Sequence, residues 1–196
     1  MDLQKKIILI TRTRLIKLLT SVVITILIVG LVFGCSNPES IKKQNEVNDY
    51  TKRLEEWSAY FNKVTGLILE GDKTNRNIIE NFEMAGNNDE KIPYAKILLY
   101  NYQDQYNKAL DIKVPDSATE VHSHYLESLK QNIEASSCVI NHDSSGYNEA
   151  AHKAFDELTE GMNEMMTIWE NFDKEAEGLG LPKPSGFPET SPSITN

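Results

Sequence analysis

The chain has 196 residues, of which 20 are basic, 29 are acidic and 40% are hydrophobic. Residues 35–196 alone contain 15 basic and 28 acidic residues, a formal net charge of −13. A surface this acidic argues against nucleic acid as a partner, because binding to phosphate needs a basic face, and against spreading over anionic lipid.

The N-terminal segment combines a basic stretch with an apolar one. Its basic residues are Lys5, Lys6, Arg12, Arg14 and Lys17. The run from Leu18 to Gly34 then contains no charged residue. This order is typical of a secretory signal. The positive charge stays on the cytoplasmic side, so the rest of the chain is expected to be delivered outward.

The apolar run ends in a short motif, Leu31-Val32-Phe33-Gly34-Cys35. This motif resembles the lipobox of bacterial lipoproteins, in which a cysteine receives a diacylglyceryl thioether. The resemblance implies that residues 1–34 are a signal peptide and that a lipid on Cys35 anchors the protein in the cell membrane, facing the extracytoplasmic side. The alternative is an uncleaved membrane anchor, for which the 17-residue run is short, since about 20 residues are typical. Both interpretations place residues 36–196 outside the cytoplasm.

Residues 35–40 are predicted to be the lipidated cysteine and a short spacer, in which Pro38 suits the first position of a helix. The apolar residues that follow alternate at spacings of three and four: Val47, Tyr50, Leu54, Trp57, Phe61, Val64 and Ile68. This heptad pattern predicts a long helix that packs with coiled-coil-like geometry. Gly71 is predicted to end it as a C-terminal cap.

Three further helical arms are predicted from the same spacing. They cover residues 75–111, with an interruption near 86–90, then 117–140 and 147–178. Short links between long arms indicate an all-α, elongated up-down-up-down four-helix bundle over residues 41–178, following the N-terminal signal or anchor segment. The proline-rich residues 179–196 are predicted to be a disordered tail.

The turn between the third and fourth arms carries the residues most suited to a metal. Glu134, Cys138 and His142 recur every four residues and so share one stripe of a helix. An antiparallel fourth helix would bring Glu149 and His152 alongside this stripe. Carboxylate, thiolate and imidazole groups together suit zinc or copper. The competing interpretation makes Cys138 a small core residue and both histidines surface groups.

The same periodicity predicts which side chains fill the core. Trp57 of the first arm and Leu129 of the third are expected to be buried, and His122 is expected at the core or its rim. Methionine at helical spacing is typical of adaptable core filling. This interpretation covers Met162, Met165 and Met166.

The sequence after Cys35 contains no Gly-rich phosphate loop, no Cys-x-x-Cys pair and no Gly-x-Ser-x-Gly motif. The leading hypothesis is therefore a non-enzymatic extracytoplasmic lipoprotein that binds a protein or another envelope component, with no cofactor beyond the lipid. The helical part resembles the small helical-bundle lipoproteins of bacteria that have no assigned function. The alternatives are a metal-binding lipoprotein that uses the Glu/Cys/His cluster and an envelope enzyme whose site is scattered along the sequence.

Overall fold

The computed structural model describes residues 38–184, and 89% of these are helical, with no strand among them. Residues 38–184 contain four α-helices in this order: α1 Pro38–Met84, α2 Asn88–Leu110, α3 Thr119–Ile140 and α4 Ser144–Leu179. The all-α prediction is confirmed. The signal segment and Cys35 lie outside the described residues, as does most of the predicted tail. Among residues 38–184, none of the helices combines the length and apolarity needed to cross a bilayer.

Helix α1 is a single helix of 47 residues, so the prediction that Gly71 caps it is wrong. The heptad register set by Val47 and Tyr50 continues beyond this glycine through Asn75 to Phe82, and Gly71, Asn75 and Phe82 are all buried. A small residue and a polar residue occupy the positions where apolar side chains were expected. The seam therefore continues although the apolar pattern breaks.

The first turn within the described residues lies instead at residues 85–87, so residues 75–84 belong to α1 and not to the second arm as predicted. The side chain of Asn87 accepts a hydrogen bond from the backbone N–H of Glu90 at 3.0 Å, which caps α2. The Glu90 carboxylate in turn accepts from the Gly86 N–H at 2.8 Å. These reciprocal bonds satisfy donors that a helix start leaves open, so the helix boundary falls here.

Polar side chains of α2 explain the two unusual positions in the α1 seam. The Asn101 side chain donates to Asn75 Oδ1 at 2.8 Å. A methyl group at Gly71 would overlap the side-chain amide of Gln105, so glycine leaves that amide its space. Gly71 thus faces Gln105 and Asn75 faces Asn101, so residue numbers decrease along α2 as they increase along α1. The second half of α1 and α2 therefore run antiparallel.

Helices α3 and α4 also run antiparallel, joined by the turn at residues 141–143. Ser128 Oγ donates to the backbone carbonyl of Ala154 at 2.8 Å, and His124 meets Glu157 one turn further from the link. His142 adopts a left-handed backbone with φ 59° in this turn. The link predicted between the arms that end at residue 140 and begin at residue 147 is present, but α4 begins earlier, at Ser144.

The described chain divides into two compact units, one formed by residues 53–168 and the other by residues 38–52 with 169–184. Within the smaller unit, Tyr50 and Phe172 are both buried, and their rings meet edge to face with centroids 5.9 Å apart. This aromatic contact joins the first turns of α1 to the last turns of α4.

Residues 53–168 contain the larger core. Trp57 and Leu129 are 1% and 4% exposed, which confirms both as core residues, and His122 is buried as predicted. The Tyr60 hydroxyl lies 3.4 Å from His122 Nδ1, and the two rings pack edge to face. Burial lowers the pKa of His122 despite an opposing hydrogen bond with the Ala109 backbone, so its neutral form is favoured.

Candidate functional site

Of the five residues predicted to bind metal, the structure brings Glu134 and Cys138 together. The Cys138 thiol donates to Glu134 Oε1 at an Sγ–O distance of 3.7 Å. Burial raises the pKa of this thiol, and the nearby carboxylates of Glu134 and Asp143 raise it further. Because a metal binds the thiolate, this environment disfavours the form that a zinc or copper site needs.

His142 and Glu149 pair with residues outside that cluster, although the charge of Glu149 also raises the pKa of Cys138. His142 Nε2 lies 3.8 Å from Asp89 Oδ1, and Glu149 accepts from Lys153 Nζ at 2.7 Å. His152 is exposed. Within residues 38–184, no three ligand atoms of the predicted set lie within 4.8 Å of one another. The zinc or copper hypothesis therefore stays a prediction without a converged set of ligands.

A small cleft of about 180 Å³ lies where the start of α2 meets the α3–α4 turn. Its walls are formed by Phe82, Asn88, Lys91, Val139, His142, Asp143, Ser144, Tyr147 and Asn148. Pockets that hold organic ligands usually measure about 300–1,000 Å³. Backbone N–H donors at both helix starts beside this cleft already have acceptors, since Asn87 caps α2 and Asp143 Oδ1 accepts from the Gly146 N–H of α4 at 2.9 Å. The cleft therefore offers little room and few open donors.

A second group of metal-ligating side chains lies further along α3 and α4. His124 Nδ1 is 2.8 Å from Glu157 Oε2 and 3.7 Å from Glu160 Oε2. A side chain at Gly161 would place its Cβ 3.1 Å from the Cβ of His124, so glycine permits this close approach. The three residues His124, Glu157 and Glu160 are called the His124 cluster below.

The His124 cluster is electrostatically coupled. The hydrogen bond with Glu157 raises the pKa of His124, and the charges of Glu157, Glu160 and Glu120 raise it further. The side chains of His124 and Glu157 are 22% and 29% exposed, whereas that of Glu160 is 65% exposed. One side of the cluster is therefore packed between helices and the other is open to solvent.

Sequence reasoning missed the His124 cluster because its members come from two distant stretches. Glu120 and His124 are four residues apart, and Glu157 and Glu160 are three apart, so each pair shares one helix face. That spacing was the available signal. The pairs meet only in the α3–α4 register that places Ser128 against Ala154, which the spacing alone does not fix.

The most exposed apolar surface of α4 is a stripe formed by Phe155, Leu158, Met162 and Met166, called the α4 stripe below. These side chains are 58%, 39%, 48% and 38% exposed. Spacings of three, four and four residues place them on one face of the helix. The prediction that Met162 and Met166 fill the core is therefore wrong. The buried face of this helix instead uses smaller residues such as Ala150, Ala154 and Gly161, which let α3 approach closely.

Acidic side chains lie to one side of the α4 stripe. Residues 144–168 of α4 contain five acidic residues and one basic residue, Lys153. Asp156 is exposed and lies on the solvent face next to the stripe. A molecule that covers the stripe therefore meets apolar atoms at its centre and negative charge along one border.

The α4 stripe and the His124 cluster are thus two features by which the described residues can meet another molecule. No family model, curated protein sequence or solved structure matches this chain. Both features are accordingly interpreted from their own geometry and chemistry.

Proposed function

We propose that this chain is an exported, lipid-anchored, non-enzymatic protein whose helical domain binds a partner protein through the α4 stripe. The observation that carries the proposal is the row of Phe155, Leu158, Met162 and Met166 exposed side by side. From their exposed fractions, these side chains offer water roughly 300–400 Å² of apolar surface, within the range of patches that often serve binding. Burial of such a surface releases about 25 cal/mol per Å².

The architecture that presents the stripe is, in this proposal, an up-down-up-down four-helix bundle over residues 53–168. Two antiparallel pairs support it, one between α1 and α2 and one between α3 and α4. The packing of Phe82 and Val139 in one cluster with Tyr94 and Tyr147 joins all four helices. Such a bundle is a rigid platform for an exposed helix face.

The anchor in this proposal is a lipid on Cys35, and its support comes from the lipobox-like motif. The test is metabolic labelling with a fatty-acid probe in cells that express wild type, Cys35→Ala or Cys138→Ser. Cys138 is the matched control, since it is buried and has no lipobox-like context. Loss of the label in Cys35→Ala alone supports the lipoprotein. A label that persists in Cys35→Ala contradicts it, and an unlabelled wild type that stays at precursor mass favours the uncleaved anchor.

The non-enzymatic part of the proposal is supported by the surroundings of the reactive groups. The Cys138 thiol is held in its protonated form, unlike an activated nucleophile. Burial raises the pKa values of Tyr102 and Tyr125 to about 12, which keeps both hydroxyls neutral. Glu149 and Lys153 form an exposed ion pair on the helix surface. These are the environments of structural groups.

The partner that fits the α4 stripe best is an amphipathic helix with a cationic border. Its apolar face would cover the stripe in the manner of helix-in-groove recognition. Its Lys or Arg residues would face the acidic side that carries Asp156, which favours association and selects against acidic partners. A second copy of this chain brings its own excess of negative charge, a formal −13 over residues 35–196, and is disfavoured.

The direct test replaces Met162 by a photo-crosslinking amino acid in cells, with Lys153 as the matched position on the opposite side of α4. A product specific to position 162 that contains a different protein supports the proposal. A product composed of two copies of this chain contradicts the choice of partner. Equal products at the two positions contradict the assignment of the stripe.

A second test uses a defined probe with the purified full chain. A synthetic Leu/Lys peptide of amphipathic helical pattern is expected to bind, whereas a scrambled peptide of the same composition is not. Met162→Glu should weaken that binding by about tenfold or more, as expected for a central contact. Asn163→Glu, an exposed neighbour outside the stripe, adds the same charge and serves as control. Identical effects of the two substitutions would refute the stripe as the binding surface.

A further inference from the structure

We propose that the His124 cluster is a binding site for a divalent transition metal of the zinc type, formed by one imidazole nitrogen and two carboxylate oxygens. This inference is independent of the α4 stripe and of the lipid anchor. It concerns residues other than the five that the sequence pointed to.

The ligand atoms already converge. One ligand atom each from His124, Glu157 and Glu160 lies within 4.8 Å of the other two. In a tetrahedral zinc site with bonds of about 2.0–2.2 Å, neighbouring ligand atoms are about 3.3–3.6 Å apart. The distances from His124 Nδ1, 2.8 Å to Glu157 and 3.7 Å to Glu160, lie on either side of that value. Shifts of less than 1 Å, within reach of side-chain torsions, would bring both His124 distances to that value.

The backbone holds two of the ligands in place. Glu157 and Glu160 are three residues apart on α4, so one turn of helix points both carboxylates in the same direction. Gly161 lets His124 of α3 approach that turn closely. The close packing of α3 on α4 thereby fixes the imidazole opposite both carboxylates, which reduces the conformational entropy lost when a metal binds.

The charge balance favours a dication. With a neutral imidazole, the cluster contains the negative charges of Glu157 and Glu160, and Glu120 adds a third within electrostatic reach of His124. A divalent ion compensates this charge better than the single proton of an imidazolium. The exposed side at Glu160 gives the ion an entry path and room for water as a fourth ligand.

The donor set also determines the class of metal. An imidazole nitrogen with carboxylate oxygens suits zinc and its first-row neighbours, whereas magnesium and calcium prefer oxygen ligands alone. Because the metal must replace the proton on His124 Nδ1, binding releases a proton and weakens in acid. Excess magnesium should therefore compete poorly with zinc for this site.

The test is titration of the full chain, purified in mild detergent and treated with a chelator, with ZnCl2 in a non-coordinating buffer. We expect saturable binding of one zinc per chain and an X-ray absorption spectrum with nitrogen and oxygen neighbours only. His124→Gln and Glu160→Gln should each weaken binding by about 10–100-fold or more, since even changes behind a ligand cost that much. Glu160 is exposed, so Glu160→Gln should leave the helical circular dichroism unchanged.

Two controls separate this site from its alternatives. Asp156→Asn removes an equal charge from an exposed position on α4 next to the cluster and should leave the affinity within about twofold. Cys138→Ser removes the thiol of the five-residue set and should have no effect on zinc. Four results would overturn the inference: no saturable zinc binding, binding indifferent to His124 and Glu160, equal weakening by Asp156→Asn, or a sulfur neighbour in the spectrum. Equal weakening by Asp156→Asn would assign the zinc to diffuse electrostatic attraction, and a sulfur neighbour would assign it to Cys138.

Discussion

The buried amide pair between α1 and α2 allows a quantitative prediction. Asn75 is 3% exposed, and its side-chain oxygen accepts a hydrogen bond from Asn101 at 2.8 Å. The substitution Asn101→Leu removes the donor and leaves the Asn75 amide buried without this partner. A buried polar group that loses its partner costs about 1–3 kcal/mol. We therefore expect Asn101→Leu to lower the free energy of unfolding by that amount.

The double variant Asn75→Leu with Asn101→Leu should behave differently. Replacing both partners by apolar groups removes the orphaned amide and is often nearly neutral or stabilising. It also continues the heptad pattern of α1 with an apolar residue at position 75. Asn75→Leu alone leaves the Asn101 amide without its acceptor and is expected to cost about 1–3 kcal/mol as well. The expected free energy of unfolding of the double variant lies within about 1 kcal/mol of wild type, so the two substitutions are coupled by at least about 1 kcal/mol.

Urea unfolding of the full chain, followed by circular dichroism at the helical minimum, measures this cycle. The pair formed by Gln44 and Asn48 is the control, because its amide hydrogen bond of 3.0 Å is exposed. Asn48→Leu should change stability by no more than about 0.5 kcal/mol. If Asn101→Leu proves equally harmless, or if the double variant loses the sum of the single losses, the buried hydrogen bond does not hold this position as argued.

The contributions of two histidines of α3 to stability should change with pH in opposite directions, and substitution of one leucine tests the core assignment. The pKa of His122 is lowered by burial, so its contribution to stability is lost as pH falls below the unfolded value near 6.5. In unfolding measured as a function of pH, His122→Gln should therefore lose less stability in acid than wild type does. The pKa of His124 is raised by Glu157, so the contribution of His124 to stability is present below about pH 6.5 and is lost as pH rises through the folded pKa. His124→Gln should therefore destabilise the protein in acid and hardly at alkaline pH. The same loss of stability at all pH values would argue against the ion pair. Leu129→Ala should cost about 2–5 kcal/mol in urea unfolding, whereas Leu110→Ala, at a 53% exposed position, should cost far less; equal losses would contradict the core assignment.

The sequence predicted the helical class and part of the core, because burial follows much of the three-four spacing of apolar residues, although Ile68 of that spacing is 37% exposed. Trp57 and Leu129 were found where that spacing placed them. The end of α1 was missed because Gly71 is small and Asn75 is polar, and both look like interruptions when α2 is not considered. Only the amides of Asn101 and Gln105, more than 25 residues further along, show that they are core positions.

The surface features were harder to predict for a related reason. Spacing identifies the apolar positions of α4 but does not determine which of two adjacent faces is buried. The buried face of α4 carries small residues, Ala150, Ala154 and Gly161, because these let α3 pack closely. Met162 lies outside this face and is exposed. The His124 cluster likewise depends on the alignment of two helices, which is set by contacts distant in sequence.

The amide pair of α1 and α2 also determines which alignment of these helices is selected. If α2 slid along α1 by one heptad, the apolar seam would still meet an apolar seam. Asn101 would then face Ile68 or Phe82 in place of Asn75, and its amide would lose its hydrogen-bond partner. Gln105 would similarly meet a side chain in place of the space that Gly71 leaves. Polar residues inside a seam are known to define register in this way, because they penalise every alternative pairing. The break in the apolar pattern thus specifies the register of α2 along the 47-residue helix α1.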